Sequence, residues 1–138
     1  MRLLLDTHAW LWSVAAPQRL SSAARALLED ERNELVVSIA SFWEVAIKHS
    51  IGKLVLPEPP GTYLPKLRDA GDVEVLGIDL RHVIEVAGLE WLHRDPFDRM
   101  LVAQARVENL TVMTADAQLA AYGIEVMACR GPSGPAGG

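Results

Sequence analysis

The chain contains one cysteine, Cys129, among its 138 residues. A lone cysteine excludes an internal disulfide and any zinc site built on cysteines. Near the end of an apolar segment it reads as a small hydrophobe. Long apolar runs are also missing, and none approaches the length of a bilayer span. Asp6 interrupts the N-terminal apolar segment too early for a signal sequence, so the expected location is cytoplasmic, with no membrane partner. Positive charge is not in surplus: 13 Lys and Arg against 18 Asp and Glu give a formal net charge of -5. That balance argues against a protein that coats nucleic acid through a basic surface. It leaves open an enzyme acting on nucleic acid, because a bound divalent cation reverses the local field. No phosphate-cradling G-x-x-x-x-G-K-[ST] loop, no G-x-G-x-x-G and no G-x-S-x-G elbow is present. The histidines His8, His49, His82 and His93 lack tight metal-ligand spacing and read as surface or structural residues.

What the chain does have is apolar content, 50% by count, at a length suited to one domain with one core. Its apolar runs alternate with helical patterns. Residues 2–5, 35–39, 73–78, 110–113 and 124–127 read as short buried strands. Helices are expected over 7–14, 22–31, 41–50, 63–70, 80–92, 96–109 and 117–121. Pro17, Gly52, the segment 57–61, Gly71 and Gly123 punctuate them. Asp95-Pro96 is a helix start, with a capping acid before proline in the first helical position. This alternation predicts a single α/β domain, with a mostly parallel sheet between helices on both faces. The domain is expected over 1–128. Residues 129–138 form a Gly/Pro-rich tail expected to be disordered, since 131–138 contain only Gly, Pro, Ser and Ala.

Four acids recur at corresponding places in this pattern: Asp6, Glu44, Asp98 and Asp116. Asp6 ends the first apolar run, and Asp116 follows the run 110–113. Glu44 and Asp98 stand near the starts of helices. In a parallel sheet all four positions fall at the carboxyl edge, where open α/β folds place their sites. Singly, each has a plain explanation. Asp6 and Asp116 can cap helices. Ser41 to Glu44 matches a capping box, and Asp98 suits the positive end of a helix dipole. Together they would repel, by roughly 3 kcal/mol for two carboxylates about 5 Å apart at an effective dielectric near 20. Such a cluster makes sense around a hard divalent cation. Asp95 reads first as a cap and second as a member of the site. Thr7 and Thr114 place hydroxyls beside Asp6 and Asp116. Lys48, Lys53 and Arg99 flank the acids and are candidates to contact a nucleic-acid backbone. Trp10, Trp12, Trp43 and Trp91 read mainly as core.

The segments Leu4-Leu5-Asp6-Thr7-His8, Ser41-Phe42-Trp43-Glu44-Val45-Ala46-Ile47-Lys48, His93 to Ala105 and Thr114-Ala115-Asp116, in this order and spacing, resemble PIN-domain ribonucleases of the VapC toxin type. The resemblance covers residues 1–128. It implies a three-layer α/β/α sandwich and a Mg²⁺- or Mn²⁺-dependent endoribonuclease that forms homodimers. It implies that Asp6, Glu44, Asp98 and Asp116 form the catalytic metal site, supported by Thr114. It further implies a tRNA or rRNA substrate and inhibition by a cognate VapB-type antitoxin. Two other classes remain open on the residues alone. One is a nuclease-like module that binds a protein without turnover. The other is a phosphatase of the haloacid dehalogenase type, which requires a second Asp where this chain has His8.

Overall fold

A computed structural model describes residues 1–71 and 73–131. Five strands, β1 (Arg2–Leu5), β2 (Glu34–Ser38), β3 (Val73–Leu76), β4 (Thr111–Thr114) and β5 (Val126–Ala128), form one sheet in the order β3-β2-β1-β4-β5. All pairings between these strands are parallel. The chain leaves β1 toward β2 and β3, then returns across it to β4 and β5. The direction of winding therefore reverses at β1 and β4, and the amide of Asp6 donates to the carbonyl of Met113 there, at 2.8 Å.

Parallel crossovers are right-handed, so a reversal in winding puts helices on opposite faces. The side chains follow this. Leu3, Leu5, Val37 and Met113 pack with Trp10 and Trp12 of α1 (Thr7–Ala15), Ala24 of α2 (Ser22–Glu29), Phe42 and Val45 of α3 (Ile39–Ser50) and Leu67 of α4 (Pro60–Ala70). The alternate strand residues Leu4, Val36 and Val112 face Leu101 and Ala105 of α6 (Pro96–Glu108), with α5 (Leu80–Ala87) against α6. The period-two alternation of strands thus fills two cores from one sheet, giving the three-layer sandwich.

Several boundaries differ from the sequence reading. The helix expected from Ser41 begins at Ile39, because the Ser38 hydroxyl caps it by accepting from the amide of Ala40. The helix expected over 80–92 stops at Ala87, with Gly88 as its cap. The fourth helix starts three residues early, with Pro60 in its first turn. The region 117–121 is 3-10 helix, Ala117–Tyr122, closed by Gly123 at φ 79°. Of the tail, Cys129 is fully buried, its carbonyl accepts from Ser21, and Arg130 bridges to Leu20. Residues 129 and 130 therefore pack against the domain, and residues 132–138 lie outside the described residues. Burial pushes the Cys129 thiol up to about 12, which keeps it protonated and unreactive. Among the described residues, no helix is long and apolar enough to cross a membrane.

Candidate active site

Asp6 follows β1 directly and is 3% exposed. Its Oδ1 accepts from the amide of Ala9 (2.7 Å), so the plain capping role is present. Its Oδ2 accepts from the Thr114 hydroxyl (2.6 Å) and the amide of Ala115 (2.9 Å). These three donors tie the first strand to the fourth and hold the carboxylate in one orientation. Thr114 is held in turn, because its hydroxyl accepts from the amide of Asp116 at 2.9 Å. Asp116 caps the 3-10 turn through Gln118 and keeps its side chain partly exposed.

Glu44 does not close a capping box. It lies in the second turn of α3, 4% exposed, where Oε1 accepts from the Thr7 hydroxyl (2.6 Å) and Oε2 pairs with Lys48. Ser41, expected as the cap, sits beside Thr7 at 2.9 Å instead. Thr7, Ser41, Glu44 and Lys48 thus form one polar chain between α1 and α3.

Asp98 is held differently. Asp95 caps α6 by accepting from the amides of Phe97 and Asp98, so its capping role is realised. The Asp98 carboxyl is pushed up to about 6, first by burial and then by the neighbouring charges of Asp95 and Asp6. His93 opposes the shift, with Nε2 2.8 Å from Asp98 Oδ2 and Nδ1 3.8 Å from Asp116 Oδ2. His93 was read from the sequence as surface or structural. It stands instead between two of the four acids, and it is the site residue that sequence reasoning missed. Its place depends on the irregular segment 91–95 that leads into α6, which no periodicity reveals.

Arg99 requires a correction. It is 5% exposed rather than free to meet a nucleic acid. Its guanidinium donates to the carbonyl of Glu90 (2.8 Å) and the hydroxyl of Tyr122 (3.2 Å), and Trp91 covers it at 4.1 Å. Tyr122 also accepts from the amide of His93 at 2.9 Å. Arg99 is therefore a strut that secures the segment carrying His93. Of the three cations singled out, Lys48 is partly exposed but paired with Glu44, and Lys53 is exposed.

The donor set of the four acids is oxygen only, which fits a hard cation such as Mg²⁺ or Mn²⁺. Among the described residues, three ligating atoms lie within 4.8 Å of one another in Asp79, His82 and Glu108, not among these acids. The four acids stand wider apart than a closed all-protein cage. That spacing suits an ion that keeps several waters, as Mg²⁺ does. The tighter group already has its cation: an Arg81 nitrogen lies 2.8 Å from Asp79 Oδ2 and 2.8 Å from Glu108 Oε1. Its His82 accepts from the amide of Asp79 in a capping box for α5. Glu108 is also ten residues beyond Asp98 on one helix, roughly 15 Å along its axis.

Residues 3–125 match the sequence profile of the PIN domain. The chain belongs to the PIN-domain family. Over 121 residues, 87% of this PIN domain chain and 91% of its relative, it is 31% identical to Ribonuclease VapC22 of Mycobacterium tuberculosis. Over 59 residues, 42% of the chain and 41% of the relative, it is 42% identical to Ribonuclease VapC16 of the same organism. The structure of VapBC2 from Rickettsia felis bound to a promoter DNA fragment superposes with a TM-score of 0.72 at 14% identity, covering 94% of this chain and 99% of that one. VapBC-5 from Mycobacterium tuberculosis, of a toxin–antitoxin family, gives 0.57 at 20% identity, covering 91% and 97%. At these identities the structural likeness shows the PIN fold.

Proposed function

We propose that this PIN domain is a metal-dependent endoribonuclease, the toxin of a toxin–antitoxin pair, acting on tRNA or rRNA and inhibited by a VapB-type antitoxin. The observation that supports the reading is that Asp6 and Asp116 follow the adjacent strands β1 and β4, the charge of Asp6 reaches Asp98, and Glu44 is joined to Thr7, the neighbour of Asp6. The ribonuclease relatives and the toxin–antitoxin neighbours support it. A second copy of the chain is the proposed partner in a homodimer. The alternative without turnover has no observation in its favour, and His8 stands where a haloacid-dehalogenase-type phosphatase requires its second Asp.

Asp6, Glu44, Asp98 and Asp116 would hold Mg²⁺ or Mn²⁺. A bound ion supplies charge stabilisation at the scissile phosphate and acidifies water. The chain's own residues prepare the rest. The Thr114 hydroxyl and the Ala9 and Ala115 amides fix the Asp6 carboxylate before any ligand arrives, so no reorganisation is required at reaction. Thr7 aims Glu44, while Lys48 offsets its charge. His93 places its Nε2 2.8 Å from Asp98 Oδ2, where it restrains the carboxyl group least tied to the scaffold. No covalent enzyme intermediate is required, and the family resemblance implies a 5′-phosphate and a 3′-hydroxyl as product ends.

The test is incubation of purified chain with total tRNA and rRNA in Mg²⁺, in Mn²⁺ and in EDTA. Discrete cuts with metal and none in EDTA are expected. Cuts that persist in EDTA would refute the metal-dependent reading.

A further inference from the structure

Two tryptophans remain largely exposed, and they differ in what they do. Trp91 lies over the buried Arg99 guanidinium at 4.1 Å, so its position serves the scaffold. Trp43 covers no buried charge. It is 59% exposed on α3 and meets Phe97 of α6 nearly edge-on, with ring centroids 5.1 Å apart and planes at 80°. Glu44 follows Trp43 directly, and Asp98 follows Phe97. The aromatic pair thus spans the same two helices that carry two of the acids.

Apolar surface left in water forgoes roughly 25 cal/mol per Å², so packing alone does not account for the exposed indole. We propose that Trp43, braced by Phe97, is a stacking platform for an unpaired nucleobase of the RNA substrate, beside the acids. The proposal rests on the ribonuclease reading above and adds to it the side chain that receives a base of the bound strand. Single-stranded RNA is recognised by splaying bases onto aromatic side chains, and every base offers a π-face. The neighbouring charge suits this occupant. The charge of Lys48 is taken up by Glu44, but Lys53, whose amide donates to the Lys48 carbonyl, adds an exposed cation just beyond the end of α3. In a chain of net charge -5, Lys53 supplies local positive charge for a phosphate backbone. Phe97, T-shaped against the indole, restricts the ring and lowers the entropy lost when a base stacks.

The experiment is equilibrium binding in EDTA, using the full chain and a fluorescein-labelled single-stranded oligoribonucleotide of mixed sequence. A strand with the same backbone and abasic riboses serves as control. Trp43→Ala is expected to weaken binding of the base-bearing strand roughly 10- to 100-fold, with Trp43→Phe losing much less. All three proteins are expected to bind the abasic strand equally and weakly. Equal binding of the base-bearing strand by Trp43→Ala and the unsubstituted chain would overturn the platform. So would an equal loss on both strands, or no binding by the unsubstituted chain up to about 0.1 mM, the weak end of non-specific binding. Unchanged RNA binding with weakened self-association of Trp43→Ala in sedimentation would assign the surface to a protein contact instead. Because EDTA suppresses metal-dependent cleavage, a failure of the nuclease reading and a failure of the platform give different results.

Discussion

Asp98 differs from the other acids in what holds it. Asp6 accepts three donors from the scaffold and Glu44 two, whereas Asp98 has His93 and a partly desolvated position. Its folded pKa of about 6 exceeds the ordinary 3.8, so the folded chain binds this proton more tightly than the unfolded one. The contribution of this group to stability is therefore fullest below the lower value. It is lost as pH rises between the two and is level above the higher one. In EDTA, thermal melts of the unsubstituted chain are expected to show this decline. Asp98→Asn, which has no proton to lose there, is expected to lack it. Cation affinity should climb across the same interval, because ligation requires the carboxylate. Thr114→Val tests the opposite kind of acid. It takes one of two donors from Asp6 Oδ2 and should cost about 1–3 kcal/mol in urea unfolding. It should also lower cleavage roughly 10- to 100-fold, as expected for a group that orients a metal ligand. Unchanged stability and activity would show that Asp6 needs no such support.

At the scale of elements, the alternation of strands and helices was legible because buried parallel strands read as short apolar runs and helices carry clear breaks. Asp95-Pro96 marked the start of α6 correctly, through a cap followed by the residue that tolerates the first helical position. The start of α3 was not legible. Ile39 is β-branched and reads as strand, while Ser41 and Glu44 imitate a capping box. The cap is Ser38, and Ser41 and Glu44 instead meet Thr7, a partner distant in sequence. Arg99 was misjudged for a different reason. A charged residue beside a run of acids suggests the surface, yet Arg99 shares a helix face with the buried Val102 and Ala103, three and four residues on. That spacing was a usable signal. Arg99→Met should remove the donor to the Glu90 carbonyl and the Tyr122 hydroxyl and destabilise the fold by about 3 kcal/mol. Urea unfolding measures this. A change below about 0.5 kcal/mol, the usual range for surface positions, would restore Arg99 to the surface.

For the whole molecule, the proposed function rests on a topological fact. A parallel sheet that winds outward from β1 in both directions brings Asp6, Glu44, Asp98 and Asp116 to one edge, although they are scattered along the sequence. The sequence pattern located that edge, but not His93 between two of the acids, nor the Arg81 clamp that fills the tighter group at Asp79, His82 and Glu108. The chain therefore contains two acidic groups of different character. One is closed by its own arginine, and the other is the proposed cation site. The measurement that separates them most directly is RNA cleavage in Mg²⁺ and Mn²⁺ by Asp98→Asn and by Glu108→Gln, each verified as folded. Loss of cleavage in Asp98→Asn, with near-normal cleavage in Glu108→Gln, is the expected result. Full cleavage in Asp98→Asn, or loss confined to Glu108→Gln, would contradict the assignment of the active site to the carboxyl edge.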